Sequence, residues 1–401
     1  MITNQQYSTL ISRCINCNLP FVAFMFSDSN ELNFFADIPD DDGNCIVDTD
    51  DPNWNGFFIN FFGNDEPYLA GVRFTLDYEE TCKYLSSLET QDRFFIPGDV
   101  SPSLHSTSRL DYMRSFKEAL QYVKARDSKI VISQMTATLT TREPGEVMWE
   151  YFNSCPGTFR FLCFTPETGL WIGATPELLL STNVEQKYLA TMALAGTRPA
   201  EETGPWDEKN EMEHLYVTSY IKGTLMALDL DVEMGEEEEI QFGSVKHLCH
   251  MIEARGKFDP FDVLYELSPT SAIAGWPSAD IAVEKIRDIE AHDRYCYGGF
   301  VGLKYGSDVM AFVNLRSALF APVSLPDDTR AYIYNIYSGG GIVSGSEPEA
   351  EWDEAMRKCR PLLKCVTGGD TSRRPIDKSQ INHYGLHSRR TLLMDFFNGK
   401  E

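Results

Sequence analysis

The sequence predicts an α+β fold, because short strand pairs joined by tight turns alternate with long amphipathic helices. Residues 159–164 and 170–172 are apolar and flank a Pro-Glu-Thr-Gly turn, which is typical of a β-hairpin. Residues 310–320 and 331–337 form a second such pair across a Pro-Asp-Asp turn. Hairpins imply antiparallel sheets, and the helices between them place the chain in the α+β class.

The first half of the chain adds two strands and one helix to this pattern. Residues 57–62 predict a strand, and the acidic, turn-rich segments 37–43 and 48–53 before it predict exposed loops. Apolar side chains recur every three to four positions in residues 108–126, which predicts an amphipathic helix. The β-branched residues 129–133 predict a strand directly after it.

The second half contains further helices and one strongly acidic run. Residues 206–228 and 278–294 predict two long helices. The four consecutive glutamates at 236–239 predict a solvated loop.

The last predicted helix concentrates carboxylates on one face. Ser346 and Glu349 have the spacing of a capping box, and Pro348 fits the first turn. Glu351, Glu354 and Lys358 then stack at spacings of three and four residues. Two readings are open from these residues alone. They are half of a magnesium site, or a solvated acidic turn that complements the helix dipole.

Length and composition are those of a globular protein. The 401 residues are 43% hydrophobic and 24% charged, with room for one large domain or two to three smaller ones. No apolar run approaches the roughly 20 residues that span a bilayer, and the polar N-terminus lacks the order of a signal peptide. We therefore expect a cytoplasmic protein with no membrane partner. The ten cysteines are then expected to be reduced thiols.

The formal charge of -25 restricts the possible partners. It argues against binding to nucleic acid or to anionic membranes, both of which need basic surface. It also repels small anionic substrates. An enzyme of this charge that acts on a dicarboxylate needs local cations or a metal ion at its site.

Five motifs occur in the order seen in chorismate-utilising enzymes, which the chain resembles over residues 105–365. They are Ala-Leu-Ala-Gly-Thr-Arg at 193–198, Lys-Asn-Glu-Met-Glu-His at 209–214, the segment 267–275, Arg-Tyr-Cys-Tyr-Gly-Gly at 294–299 and the acidic last helix. The chain is most similar to the isochorismate synthases. The resemblance implies two large antiparallel β-sheets packed in layers with helices outside, as in anthranilate synthase component I. Residues 1–104 would be a divergent N-terminal part of the same domain and residues 366–401 a C-terminal extension.

The resemblance also implies roles for individual residues. Lys129 matches the general base of relatives whose nucleophile is water, and Glu177 matches the general acid. Glu213 and Glu354 match magnesium-binding carboxylates, and Glu351 matches a further acid close to the metal.

Substrate contacts are implied as well. Tyr297 and Arg316 match the groups that hold the side-chain carboxylate of chorismate, with Lys358 and the amides of Gly340 and Gly341 beside them. Three further expected substrate contacts, Gly196, Thr197 and Ala272, lie in the matching motifs, and His247 is expected as a fourth. Three positions depart from many relatives, namely Asn210, Ser268 and Gln134.

These assignments imply an isochorismate synthase, an isomerase that uses Mg2+. Lys129 would activate a water that adds at C2, while Glu177 protonates the hydroxyl leaving C4. We expect a monomer that needs no glutamine amidotransferase partner. Menaquinone biosynthesis is the expected pathway, rather than siderophore or salicylate biosynthesis, because nothing indicates a fused siderophore domain.

Other functions remain open at this point. A salicylate synthase would share the acid, the base and the metal ligands, then eliminate pyruvate. Anthranilate synthases carry Gln where this chain has Lys129, and aminodeoxychorismate synthases carry Lys where it has Ala195. A non-catalytic member of the family is disfavoured because every expected acid, base and metal ligand is present.

Overall fold

The computed structural model describes residues 2–40, 43–63, 69–88 and 100–371, together with Ile376, Ser379 and Ile381. Within these residues the eight α-helices are α1 (Asn4–Asn16), α2 (Tyr78–Ser87), α3 (Arg109–Arg126), α4 (Pro144–Ser154), α5 (Glu208–Ala227), α6 (Pro260–Leu267), α7 (Ala279–Ile289) and α8 (Pro348–Thr367). No helix of this part of the chain is long and apolar enough to cross a membrane.

The first sheet, sheet A, has eight antiparallel strands in the order β12-β5-β16-β15-β7-β6-β1-β2. Its strands are β1 (Phe21–Met25), β2 (Asn33–Ala36), β5 (Lys129–Thr140), β6 (Phe159–Thr165), β7 (Gly169–Thr175), β12 (Gly275–Trp276), β15 (Ser317–Ser324) and β16 (Arg330–Ile342). The long pair β5 and β16 lies near one edge, and its register brings Gly341 opposite Val131.

The second sheet, sheet B, is also antiparallel, with the order β10-β11-β9-β8-β14-β13-β3-β4. Its strands are β3 (Gly56–Ile59), β4 (Ala70–Arg73), β8 (Leu178–Asn183), β9 (Tyr188–Pro199), β10 (Asp231–Phe242), β11 (Val245–Arg255), β13 (Phe300–Tyr305) and β14 (Asp308–Val313). The N-terminal residues contribute to both sheets, since β1 pairs with β6 and β3 pairs with β13.

Two hydrophobic cores hold these layers together. The inner core lies between the sheets, where Phe159 of sheet A stacks on Phe312 of sheet B with ring centroids 4.4 Å apart. The outer core covers the other face of sheet A beneath α1, α4 and α8. Side chains of β6 alternate between the two, with Phe161 in the inner core and Leu162 in the outer core. Because both faces of the strand are covered by a core, side chains that alternate with a period of two are apolar at every position. This explains the continuous apolar runs in the sequence.

The predicted α+β class and the two layered antiparallel sheets are confirmed. The Oγ of Ser108 accepts a hydrogen bond from the Asp111 amide, so the predicted helix begins as expected. The predicted hairpin forms with Phe164 opposite Leu170. α8 ends at Thr367, followed by Gly368 in the left-handed conformation at φ 68°. Most of the extension from 366 to 401 lies outside the described residues.

Four local predictions were wrong. The helix predicted over residues 278–294 ends at Ile289. Residues 236–239 form part of edge strand β10, where exposed glutamates discourage further strand pairing, rather than a loop. Residues 310–320 form two strands, because the backbone of Arg316 adopts φ +49° and breaks the ladder. The capping box is absent, because the N-cap is Glu347 and the Ser346 hydroxyl accepts instead from the Val343 amide at 3.2 Å.

Candidate active site

A cleft between the two sheets collects side chains from four strands, two helices and four connecting segments. All nine residues predicted to contact substrate line it, and so do Glu177 and Glu213. The nine are Gly196 and Thr197 on β9, His247 on β11, Ala272, Tyr297 and Arg316 on connecting segments, Gly340 and Gly341 on β16, and Lys358 on α8.

Lys129 lies at the start of β5, immediately beside the residues that line the cleft. Its ammonium group is fully buried and lies 3.1 Å from the Oε1 of Glu213 on α5. Burial lowers the pKa of Lys129, and the carboxylates of Glu213 and Glu177 oppose this shift only in part. A lysine with a lowered pKa can act as a base closer to neutral pH than a solvated one.

Glu177 lies in the short link between β7 and β8. Its main chain is fixed on both sides, because its carbonyl accepts from the Val313 amide at 3.0 Å and its amide contacts the Thr175 hydroxyl. Burial raises the pKa of Glu177 to about 8, even though Lys129, Lys358 and Arg316 oppose the shift. The carboxyl group is therefore protonated at neutral pH and able to donate a proton.

Three carboxylates converge beside this acid-base pair. Glu213 on α5 and Glu351 on α8 both contact the ammonium of Lys209, at 3.6 and 3.1 Å. Glu354 lies one turn further along α8 and pairs with Lys358 at 2.7 Å. Burial alone would raise the pKa of Glu213, but the three neighbouring lysines outweigh it and lower the value to about 2.

The carboxylate cluster has the chemistry to hold a divalent cation. Oε2 of Glu351 is buried and has no hydrogen-bond partner among the described residues, so one ligand oxygen is available. Glu351 and Glu354 both approach Gly340, at 3.2 and 3.5 Å from the position of a β-carbon there. Carboxylate oxygens are the ligands that Mg2+ prefers, with water and substrate oxygens completing its shell. The chemistry of this donor set therefore suits magnesium, and Glu213, Glu351 and Glu354 are the residues that could hold the ion. Their oxygens do not all lie within 4.8 Å of one another, so these side chains would move closer together around a bound ion.

The glycine run on β16 makes room for these groups. A β-carbon on Gly341 would lie 2.2 Å from Oε1 of Glu213 and 2.7 Å from Cε of Lys129. Because both atoms belong to side-chain ends, an alanine there would displace the Glu213–Lys129 pair rather than the strand.

We therefore expect Gly341→Ala to lower kcat/KM by at least about 10²-fold, since a displacement of about 1 Å in a site can have that effect. The melting temperature should change little. Gly345→Ala is the matched control, because no atom lies within 4 Å of the position of its β-carbon. Steady-state kinetics and thermal unfolding of both variants test this. Equal activity of the two variants would contradict the proposed crowding.

Arg316 is held from the sheet B side of the cleft by His247. The Nδ1 of His247 lies 3.2 Å from the Gly196 carbonyl, which can only accept, so Nδ1 carries the proton. Nε2 is then free to accept from the Arg316 guanidinium at 3.4 Å. Across the cleft, the buried ring of Tyr297 stacks on Tyr337 with centroids 5.3 Å apart. These contacts fix a cation and a phenol where an anionic group could bind.

No role was predicted for Lys209, and Asn210 was predicted only to depart from many relatives. The Oδ1 of Asn210 accepts from the Thr197 amide at 2.9 Å, and its Nδ2 donates to Asp207. Asn210 therefore holds the backbone of a lining residue and does not face the carboxylates. The sequence of the motif that contains both residues indicates neither the contacts of Lys209 nor those of Asn210.

A cluster of two histidines and one glutamate, outside the cleft lining, was not predicted as a unit. Among the described residues, only His214, Glu237 and His250 bring three potential metal-ligand atoms within 4.8 Å of one another. Nε2 of His214 and Nδ1 of His250 lie 2.7 Å apart, while the ring centroids are 5.0 Å apart and the planes nearly parallel. The two nitrogens thus point at each other, which is the geometry of an N–H···N hydrogen bond.

Comparison with known proteins gives one family and several relatives. The sequence profile described as "Chorismate binding enzyme" matches residues 76–367. The chain is 27% identical over 315 residues to the isochorismate synthase MenF of Pasteurella multocida, covering 75% of this chain and 71% of that protein. It is 28% identical over 276 residues to anthranilate synthase component 1 of Acetivibrio thermocellus, covering 65% of this chain and 53% of that protein.

A solved structure is similar over most of its length. MenF of Escherichia coli, described as the menaquinone-specific isochorismate synthase, superposes with a TM-score of 0.67 at 20% identity, covering 87% of this chain and 89% of that one. At this identity the likeness shows a shared fold.

Proposed function

The chain belongs to the chorismate-binding enzyme family and is a chorismate-utilising enzyme, and on that premise we propose that it is an isochorismate synthase. The observation that carries the proposal is the pair of titratable groups beside one cleft. Lys129 has a lowered pKa, and Glu177 has a pKa raised to about 8. These opposite shifts suit a base and an acid that work together near neutral pH.

In the proposed reaction the ring gains a hydroxyl at C2 from water and loses its hydroxyl at C4. Lys129 takes a proton from the water as its oxygen forms a bond to C2 of chorismate. Both ring double bonds shift by one position, the C4–O bond breaks, and Glu177 protonates the departing hydroxyl, which leaves as water. Lys129 ends as an ammonium beside Glu213 at 3.1 Å, which stabilises its new charge.

Binding of the dianionic substrate has to overcome a formal charge of -25. Arg316 and Lys358 line the cleft and supply the local positive field. In the proposal Arg316 and Tyr297 hold the side-chain carboxylate. Magnesium at Glu213, Glu351 and Glu354, when bound, would supply positive charge for the ring carboxylate.

Water, rather than ammonia, is the proposed nucleophile because of Lys129. Anthranilate synthase component 1 matches this chain at a similar identity. The anthranilate synthases that this chain resembles, however, carry Gln at the position of Lys129. A glutamine cannot take a proton from water, whereas the buried lysine can. Supply of isochorismate for menaquinone is the proposed pathway, in keeping with the MenF relatives.

Incubation of the protein with chorismate and Mg2+, followed by chromatographic separation of products, tests the proposal. We expect isochorismate as the product, with and without added ammonium. Salicylate together with pyruvate would replace the proposal by a salicylate synthase. Anthranilate formed in the presence of ammonium would replace it by an anthranilate synthase component.

A further inference from the structure

The backbone of Arg316 is in an unusual conformation for the residue proposed to hold the substrate. It lies in the break between β14 and β15 with φ +49°, in the left-handed region that side chains with a β-carbon rarely adopt. Such a conformation persists only where surrounding contacts hold it. The contacts of the Arg316 main chain therefore set where its side chain leaves the backbone, and His247 holds the guanidinium at the other end.

One of those contacts comes from outside the cleft. The Tyr151 hydroxyl on α4 donates to the Arg316 carbonyl at 2.7 Å. The other donor to that carbonyl is the Ala174 amide, at a longer 3.4 Å. Tyr151 is 1% exposed and belongs to the outer core, whereas the cleft is lined from the inner side of sheet A. The phenol thus reaches Arg316 from the face opposite the substrate.

We propose that Tyr151 is a positioning residue that sets the affinity for the substrate's side-chain carboxylate through the backbone of Arg316. The inference rests on the proposed function in one respect, since it takes Arg316 as the carboxylate-binding group. Tyr151 itself does not line the cleft. Through α4, which packs on α1, the outer helical layer thereby acts on substrate binding.

The role predicts a particular kinetic signature for Tyr151→Phe. The carboxylate that Arg316 holds takes no part in the bond changes at C2 and C4, so it is bound equally in the ground state and the transition state. Weakening that contact raises KM and leaves kcat unchanged. Loss of one backbone hydrogen bond corresponds to a rise in KM of about fivefold. A defect in general packing would instead lower the melting temperature without this separation of KM from kcat.

Tyr334→Phe is the matched control. Tyr334 is also fully buried in the outer core, and its hydroxyl has no hydrogen-bond partner among the described residues. Both changes remove one phenolic oxygen from the same layer and keep the ring. We expect Tyr334→Phe to leave KM and kcat unchanged.

Chorismate consumption is measured for the wild type, both phenylalanine variants, Arg316→Ala and the double variant Tyr151→Phe/Arg316→Ala, with thermal unfolding recorded for each. We expect Tyr151→Phe to raise KM only while Arg316 is present, because the two residues act as one unit. An unchanged KM for Tyr151→Phe, an equal rise for Tyr334→Phe, or an additive effect in the double variant would each overturn the inference. Chorismate consumption can be measured whichever product forms. A product other than isochorismate would therefore reject the proposed reaction, but the effect of Tyr151→Phe on KM could still be determined.

Discussion

Lys129→Gln is expected to lower kcat by about 10²- to 10⁴-fold while leaving KM for chorismate nearly unchanged. The side chain of Lys129 is fully buried against Glu213, so no solvent base can take over its role. Glutamine can still donate a hydrogen bond to Glu213, which keeps the pocket intact, but it cannot accept a proton from water. The variant therefore separates proton transfer from binding.

Steady-state kinetics with chorismate and Mg2+ measure this effect. Lys124→Gln on the exposed side of α3 is the control for removal of one lysine charge, and it should behave as the wild type. Full activity of Lys129→Gln would exclude this lysine as the base that activates water.

Glu177→Gln is expected to reduce kcat by a similar factor of about 10²- to 10⁴-fold. Burial raises the pKa of Glu177 to about 8, so the wild-type acid is protonated below that pH and loses its proton above it. A general acid works only when protonated. The wild-type kcat/KM should therefore fall as the pH rises through about 8, and the residual activity of the variant should lack this alkaline decline.

The pH dependence of kcat/KM between pH 6 and 10 is the measurement, because it reports the free enzyme. On the acidic side of the profile kcat/KM should rise with pH, because Lys129 must lose a proton before it can act as a base. Glu185→Gln, an exposed change in the same region of sequence, should retain the wild-type profile. A wild-type rate that continues to increase above pH 8 would contradict the assignment of Glu177 as the acid.

Sequence patterns predicted the fold where local periodicity and burial agree. The hairpin of β6 and β7 follows from turn residues and helix α3 follows from apolar spacing, and both are confirmed. β10 was missed because its four consecutive glutamates resemble a loop, whereas an edge strand can expose charge on both of its faces. The break at Arg316 was missed because left-handed backbone at a non-glycine residue has no local signal in the sequence.

The candidate site was less accessible to sequence reasoning than the fold. Spacing alone joined Glu351, Glu354 and Lys358 on one helix, but it left the choice between a metal site and a solvated turn open. Motif order was needed to associate that helix with Glu213, which lies about 140 residues earlier in the chain. Lys209 was not anticipated as the ammonium that links Glu213 to Glu351, because such a contact depends on how two distant helices meet.

The participation of residues 1–104 in both sheets limits how this protein could be shortened or transplanted. β1 and β2 cover the edge of β6, β3 and β4 cover that of β13, and α1 supports the helix that carries Tyr151. A fragment that began at residue 105 would keep every proposed acid, base and metal ligand. It would nevertheless expose the unpaired edges of β6 and β13. The proposed chemistry therefore depends on the N-terminal segment, although that segment supplies none of the proposed catalytic groups.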